Sequence, residues 1–135
     1  MVLFGKKKLQ YYKGILIKAD LNLHEQIAEQ LINLKPPTPK IRVLDLGAGE
    51  GALSQRLFDL GYSIVAVDQN QSDFKCNEIP FLKVDFNHED EVRELREQQK
   101  ESFDIVLGVE VIEHLGFSHT LYGQEQSYDE LNTGY

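Results

Sequence analysis

Short apolar runs alternate with amphipathic helical patterns along most of the chain. Runs rich in β-branched and aromatic residues predict four strands, at about 41–46, 63–67, 81–84 and 103–107. Apolar and polar spacing predicts helices at about 22–34, 51–60 and 88–100, and a short helix that begins near Glu110. Strands that alternate with helices are typical of a parallel sheet covered on both faces. The predicted fold class is therefore α/β, Rossmann-like, with a mostly parallel sheet and helices on both faces.

The first predicted helix carries sequence signals at both ends. Asn22, followed three residues later by Glu25, predicts a capping box. The prolines that follow Leu34 and Lys35 predict its end, because proline cannot donate to the helix ladder. His24 lies beside the apolar stripe, and we interpret it as a surface or packing histidine rather than a ligand.

Residues 1–20 are weakly patterned. The first eighteen of them hold five lysines and no acid. We interpret this segment as a solvated, partly disordered arm whose apolar residues could pack on the domain or cover a cleft. The alternative is a basic patch that attracts an anionic substrate.

The turn after the first predicted strand carries the most specific motif. Residues 45–51 read Asp-Leu-Gly-Ala-Gly-Glu-Gly, between a strand pattern and a helix pattern. Glycine allows positive φ and a close approach of the backbone to a ligand. The start of the following helix offers free N–H groups and a positive dipole. The turn therefore predicts a site for a nucleotide-like ligand.

The kind of nucleotide is left open by the glycines alone. Gly47, Gly49 and Ala52 also satisfy the dinucleotide fingerprint, so a NAD-dependent oxidoreductase is an alternative. Asp45 argues against it, because a carboxylate beside a pyrophosphate meets like-charge repulsion. Asp68 ends the second predicted strand, where a carboxylate can accept hydrogen bonds from ribose hydroxyls of either cofactor. It therefore does not discriminate between them.

A second cluster of polar residues follows the fourth predicted strand. Glu110, Glu113 and His114 have the spacing i, i+3 and i+4, so on a helix they share one face. Two carboxylates and an imidazole could bind a divalent cation such as Mg²⁺ or Mn²⁺. Alternatively His114 is a general base, because its ordinary pKa lies near neutrality. A first-turn glutamate pair with a packing histidine is the third interpretation.

Both motifs resemble those of a known family. Residues 45–51 match D-x-G-x-G-x-G, which resembles the first motif of class I S-adenosylmethionine-dependent methyltransferases. Residues 110–115, Glu-Val-Ile-Glu-His-Leu, are similar to the fourth-motif region of the ubiquinone-biosynthesis O-methyltransferase type. They are also similar to small-RNA 2′-O-methyltransferases. The resemblance covers about residues 41–115. It implies S-adenosylmethionine as the cofactor and O-methylation of a small molecule as the function.

The resemblance also implies roles for individual residues. The glycine turn would hold the methionine part and the ribose, and Asp85 would receive the adenine amino group beside an apolar side chain. The implied cofactor-binding residues are Asp45, Gly47, Ala48, Gly49, Asp68, Asp85 and Phe86. The implied metal ligands are Glu110, Glu113 and His114, and the implied catalytic base is His114. RNA is a disfavoured acceptor, because no convincing further metal ligand is present and the net charge is −8.

Length and composition predict one domain. Its parts are an arm at 1–20, a motif-bearing core at 41–115 and a polar tail at 116–135. The family it resembles has a seven-stranded sheet, so we expect a fold truncated after the fourth strand. A non-catalytic or partner-completed S-adenosylmethionine-binding module is therefore an alternative function, and association into homo-oligomers is expected. No apolar stretch is long enough to span a membrane, and a cytoplasmic location is the default expectation.

Overall fold

The computed structural model describes residues 9–99 and 102–109. An antiparallel hairpin comes first, formed by β1 (Gln10–Tyr12) and β2 (Ile15–Ile17). The remaining elements, in chain order, are α1 (Leu23–Leu34), β3 (Arg42–Leu46), α2 (Ala52–Leu60), β4 (Ser63–Asp68), a 3₁₀ turn (Gln71–Asp73), β5 (Phe81–Lys83), α3 (Glu89–Gln98) and β6 (Ile105–Gly108). Within the described ranges, the predicted strands and long helices are present with small shifts at their ends.

The main sheet is parallel and has the strand order β5-β4-β3-β6. The central strand β3 pairs with β4 on one side, Leu46 opposite Val67, and with β6 on the other, Leu46 opposite Gly108. The connections therefore run outward in one direction from β3 to β5 and then cross back to β6. Ligands of such sheets bind at the carboxyl ends of the strands, near this reversal. The prediction of a Rossmann-like parallel sheet is confirmed.

Two apolar clusters cover the two faces of the sheet. The hairpin, α1 and α2 contribute to the first, together with Val43 of β3 and Ile64 of β4. The second contains Leu44, the residue next to Val43 on the same strand, and Leu95 of α3. Neighbouring residues of one strand thus enter opposite clusters, as the strand pleat requires. Helices lie on both faces, as predicted.

The hairpin is a feature that the sequence interpretation missed. Its turn places Lys13 at φ 48° and Gly14 at φ 82°, the paired positive values of a tight hairpin turn. The Tyr12 hydroxyl donates to Asp59 at 2.6 Å, and the Lys13 ammonium lies 2.7 Å from the same carboxylate. Ile15, like Ile17, is buried in the core. Residues 10–17 are therefore packed on α2, as the sequence interpretation allowed for the apolar residues of this stretch, and the disorder expected for part of the arm does not extend to them.

The predicted capping box at the start of α1 is also wrong. Asn22 has φ 64° and makes no side-chain capping hydrogen bond, because that bond requires an extended N-cap backbone. Its N–H donates instead to the Gln10 side chain at 3.5 Å, and the N–H of Leu23 donates to the carbonyl of Asp20 at 3.1 Å. The first turn of α1 is thus tied to the hairpin.

Candidate functional site

A cavity of about 350 Å³ opens at the carboxyl ends of the parallel strands. Its lining includes every residue that the sequence indicated for cofactor binding: Asp45, Gly47, Ala48, Gly49, Asp68, Asp85 and Phe86. These residues come from the ends of three strands and from the glycine turn. The structure therefore brings them around one space, and their roles toward a ligand remain proposals.

The three glycines of the turn all have left-handed backbone, with φ 73° at Gly47, 59° at Gly49 and 101° at Gly51. A Cβ at Gly49 would meet no atom within 4 Å, whereas one at Gly51 would lie 2.5 Å from Cys76 Sγ. The N–H groups of Gly47 and Ala48 both donate to the carbonyl of Val67, which ties the turn to β4. Gly49 is thus open to a ligand, while Gly51 is needed for packing.

Asp68 holds the middle of the turn in place. Its Oδ2 accepts the N–H of Gly49 at 2.6 Å, and its Oδ1 accepts the N–H of Gln69 at 2.7 Å. Each carboxylate oxygen can accept more than one hydrogen bond. The carboxylate is consequently fixed at the cavity wall and retains the capacity to accept two neighbouring hydroxyls.

Asp45 is a buried acid at the base of the cavity. It is 2% exposed, and the Ser54 hydroxyl donates to its Oδ2 at 2.6 Å. The pKa of Asp45 is raised to about 6, chiefly by burial and also by the charge of Asp68, while the Ser54 hydrogen bond acts in the opposite direction. Such a carboxylate is stabilised by a cationic group in the cavity.

Asp85 and Phe86 form another part of the cavity wall. Asp85 Oδ1 accepts the N–H of Asn87 at 2.9 Å, and the Asp85 N–H donates to the Glu91 carboxylate of α3 at 3.1 Å. Phe86 packs against the second apolar cluster. A carboxylate with a fixed direction beside an aromatic ring can recognise a flat heterocycle that carries an amino group.

The predicted metal ligands and catalytic base, Glu110, Glu113 and His114, lie outside the described residues. The described part of the chain ends at Val109, which borders the cavity. The tail predicted at 116–135 also lies outside it.

The side of the cavity formed by the hairpin and the start of α1 supplies residues that the sequence interpretation did not select. These are Leu16, Lys18, Ala19 and His24. The Lys18 ammonium lies 3.6 Å from the Glu50 carboxylate, so this side is linked to the glycine turn. His24 is buried, which is the packing alternative of the sequence interpretation and not the surface one. Gly14 is the one residue of the hairpin turn that suits its positive φ by residue type, and this is a weak sequence signal on its own.

Strand order, glycine turn and strand-end acids together are those of a Rossmann-like nucleotide-cofactor domain, and they agree with the class I S-adenosylmethionine-dependent methyltransferase type. The family described as a methyltransferase domain matches residues 44–127, more than half of the chain. The chain belongs to this family.

Curated relatives agree with the family assignment. The chain is 32% identical over 88 residues to the ubiquinone biosynthesis O-methyltransferase of Maricaulis maris, covering 62% of this chain and 34% of the relative. It is 33% identical over 81 residues to that of a Chelativorans species, covering 58% and 32%, and 31% identical over 99 residues to that of Hahella chejuensis, covering 69% and 41%. The chain thus spans roughly a third of the length of the curated relatives that it matches.

Proposed function

We propose that this chain binds S-adenosylmethionine in the cavity and serves methyl transfer to an oxygen of a small molecule. The observation that carries the proposal is the convergence of the seven predicted residues on one cavity in a chain of the methyltransferase family. Family membership implies S-adenosylmethionine as the cofactor. The three relatives described above are named as ubiquinone biosynthesis O-methyltransferases, which favours an oxygen acceptor.

The chemical character of the cavity wall fits this cofactor. S-adenosylmethionine carries a sulfonium and an ammonium, which suit the buried carboxylate of Asp45. Asp68 would accept the ribose hydroxyls, and Asp85 with Phe86 would hold the adenine. A dinucleotide would bring phosphates toward Asp45 and is disfavoured by charge.

The cofactor supplies an activated methyl group, and the protein contributes chiefly positioning. Holding two reactants in the correct geometry can lower a barrier by roughly 7–11 kcal/mol. Gly49 allows the backbone to approach the ligand, and Asp68 fixes both the turn and the ribose. His114 would remove the proton from the hydroxyl group that receives the methyl. Alternatively, a divalent cation held by Glu110, Glu113 and His114 would lower the pKa of that hydroxyl. These last roles rest on the sequence alone.

The partners follow from the same proposal. The acceptor is a small molecule, and a nucleic acid is disfavoured by the net charge of −8.

Within residues 9–99 and 102–109, no helix has the length and apolar character that a membrane span requires. Among the described strands, β6 lies at one edge of the sheet, and its Val106 is 58% exposed. An exposed apolar edge favours association, so the predicted homo-oligomer and the partner-completed binding module stay proposals. The cytoplasmic location likewise remains a prediction.

Replacing Asp68 with alanine tests the cofactor site. We expect the affinity for S-adenosylhomocysteine to fall by about 1.5–3 kcal/mol, because the ribose hydroxyls lose a charged hydrogen-bond partner. Isothermal titration calorimetry measures the change.

The matched control for that experiment is Asp90→Ala. Asp90 is an exposed aspartate on α3, 86% exposed in its side chain, and it does not border the cavity. Its surface ion pair with Arg93 contributes little, so affinity should be unchanged. Equal affinities of the parent, Asp68→Ala and Asp90→Ala would reject the ribose role of Asp68.

A further inference from the structure

The cavity at the carboxyl ends of the strands is lined by more acids than bases. Among the described residues, its wall includes five acidic side chains and one lysine, Lys18, whose ammonium already lies 3.6 Å from the Glu50 carboxylate. Lys18 is also 62% exposed in its side chain, so salt screens its charge. The acids are Asp45, Glu50, Asp68, Asp73 and Asp85. The cavity therefore favours an occupant with net positive charge.

Asp45 differs from the other acids of the cavity in its burial. The other four are partly or fully exposed, whereas Asp45 is 2% exposed. Its hydrogen-bond donor, the Ser54 hydroxyl at 2.6 Å, is neutral. In the part of the chain that the structure describes, no ion pair includes Asp45. A positive charge in the cavity would therefore stabilise the charged form of this carboxylate.

The charge of Asp45 can act on a ligand without direct contact. Two charges attract each other more strongly across the protein interior than across water, and a buried charge is screened by salt much less than an exposed one. Asp45 stands on β3, two residues before Gly47 of the glycine turn. Burial raises its pKa to about 6, so the carboxylate is mostly charged at pH 7.

Methyl transfer changes the net charge of the cofactor by one. When an oxygen of the acceptor takes the methyl group, the carbon–sulfur bond breaks and its electron pair stays on sulfur. The hydroxyl proton of the acceptor passes to a base or to water. The sulfonium of S-adenosylmethionine thus becomes the neutral thioether of S-adenosylhomocysteine, while the ammonium and carboxylate of the amino-acid part are unchanged. An acidic cavity can distinguish the two molecules by this one charge.

We propose that Asp45 makes the cavity bind S-adenosylmethionine more tightly than S-adenosylhomocysteine, so that loss of the sulfonium charge promotes release of the product. The proposal rests on the proposed function, because it takes adenosyl ligands as the occupants of the cavity. It gives the buried acid a role in turnover, namely selection between the cofactor and its product.

The test uses three ligands that differ at the sulfur position. S-adenosylmethionine has a sulfonium there, sinefungin has a carbon that bears an ammonium, and S-adenosylhomocysteine has a neutral thioether. Each is titrated by calorimetry at pH 7 into the parent chain, Asp45→Asn and Asp90→Asn. We expect the parent to bind both cationic ligands at least tenfold more tightly than S-adenosylhomocysteine.

The two variants separate the charge of Asp45 from its shape. Asparagine has nearly the same shape and can still accept a hydrogen bond from Ser54. In Asp45→Asn the preference for the cationic ligands should fall below threefold, mainly because those two ligands bind more weakly. Asp90 is exposed and does not border the cavity, so Asp90→Asn should keep the preference of the parent.

Salt dependence of the parent chain separates Asp45 from the exposed acids and needs no variant. At about 1 M sodium chloride the Debye length is about 3 Å, so exposed acids and the net charge of −8 are screened much more than a buried carboxylate. We expect the preference for S-adenosylmethionine over S-adenosylhomocysteine to stay at least fivefold. A smaller preference would assign the discrimination to exposed charges and overturn the role of Asp45, even if Asp45→Asn does not fold.

The remaining outcomes distinguish this inference from the proposed function. Equal affinities of the parent for all three ligands, sinefungin binding as weakly as S-adenosylhomocysteine, or an unchanged preference in Asp45→Asn would each overturn the role of Asp45 and leave the proposed function intact. A parent chain that binds none of the three ligands would overturn the proposed function, and this inference with it.

Discussion

Replacing Gly51 with alanine is expected to lower the free energy of unfolding by about 2–5 kcal/mol, as the sum of backbone strain and overpacking. Gly51 has φ 101°, where residues with a Cβ are strained. The added Cβ would also lie 2.5 Å from Cys76 Sγ and 2.8 Å from Cε1 of the Phe74 ring. Both side chains belong to the cluster that packs one face of the sheet, so neither can move without cost. Urea unfolding followed by circular dichroism measures the change.

Gly49→Ala is the control within the same turn. Gly49 has φ 59°, but a Cβ there meets no atom within 4 Å. The variant should therefore lose only the backbone contribution, about 1–2 kcal/mol. Equal losses in the two variants would show that contact with Cys76 and Phe74 does not determine the need for glycine at residue 51.

Replacing Asp45 with asparagine is expected to change how stability depends on pH. Burial raises the pKa of Asp45 from 3.8 to about 6, so the folded chain holds this proton more tightly than the unfolded chain. The contribution of Asp45 to stability therefore falls as pH rises from about 4 to about 6. Charging the buried group costs the folded state about 3 kcal/mol by pH 7. The asparagine side chain cannot ionise, so the variant should gain stability relative to the parent by most of this amount between pH 4 and pH 7.

The measurement is a series of urea unfolding curves at half-unit pH intervals. Asp90→Asn serves as the control, because this exposed aspartate loses no comparable hydration on folding. Its stability relative to the parent should stay constant over the same range. A constant difference for Asp45→Asn as well would mean that Asp45 is not held in an environment that disfavours its charge.

The parallel sheet and the glycine turn could be predicted because short-range rules determine both. Runs such as 63–67 are apolar almost throughout, as buried parallel strands are, and the glycines stand between a strand and a helix. Once the strands are parallel, Asp68 and Asp85 must lie at the same edge of the sheet. The convergence of these carboxylates on one cavity is thus a consequence of topology.

The hairpin and the start of α1 were not predicted, because their structure depends on tertiary contacts. Strands of three residues give no clear alternation, and the turn uses positive φ at Lys13, a residue with no general preference for it. Asn22 has the residue type and spacing of a capping box. In the structure its backbone is left-handed and its N–H donates to the Gln10 side chain, so the capping hydrogen bond does not form. His24 borders the cavity as part of this arrangement, and its local sequence gives no indication of that.

The central claim is that this cavity binds an adenosyl sulfonium cofactor, and calorimetry on the parent chain tests it most directly. S-adenosylmethionine, S-adenosylhomocysteine and NAD⁺ are titrated separately at the same ionic strength. We expect micromolar binding of the two adenosyl ligands and no heat from NAD⁺. Binding of NAD⁺ without binding of S-adenosylmethionine, or no binding of any of the three, would contradict the account.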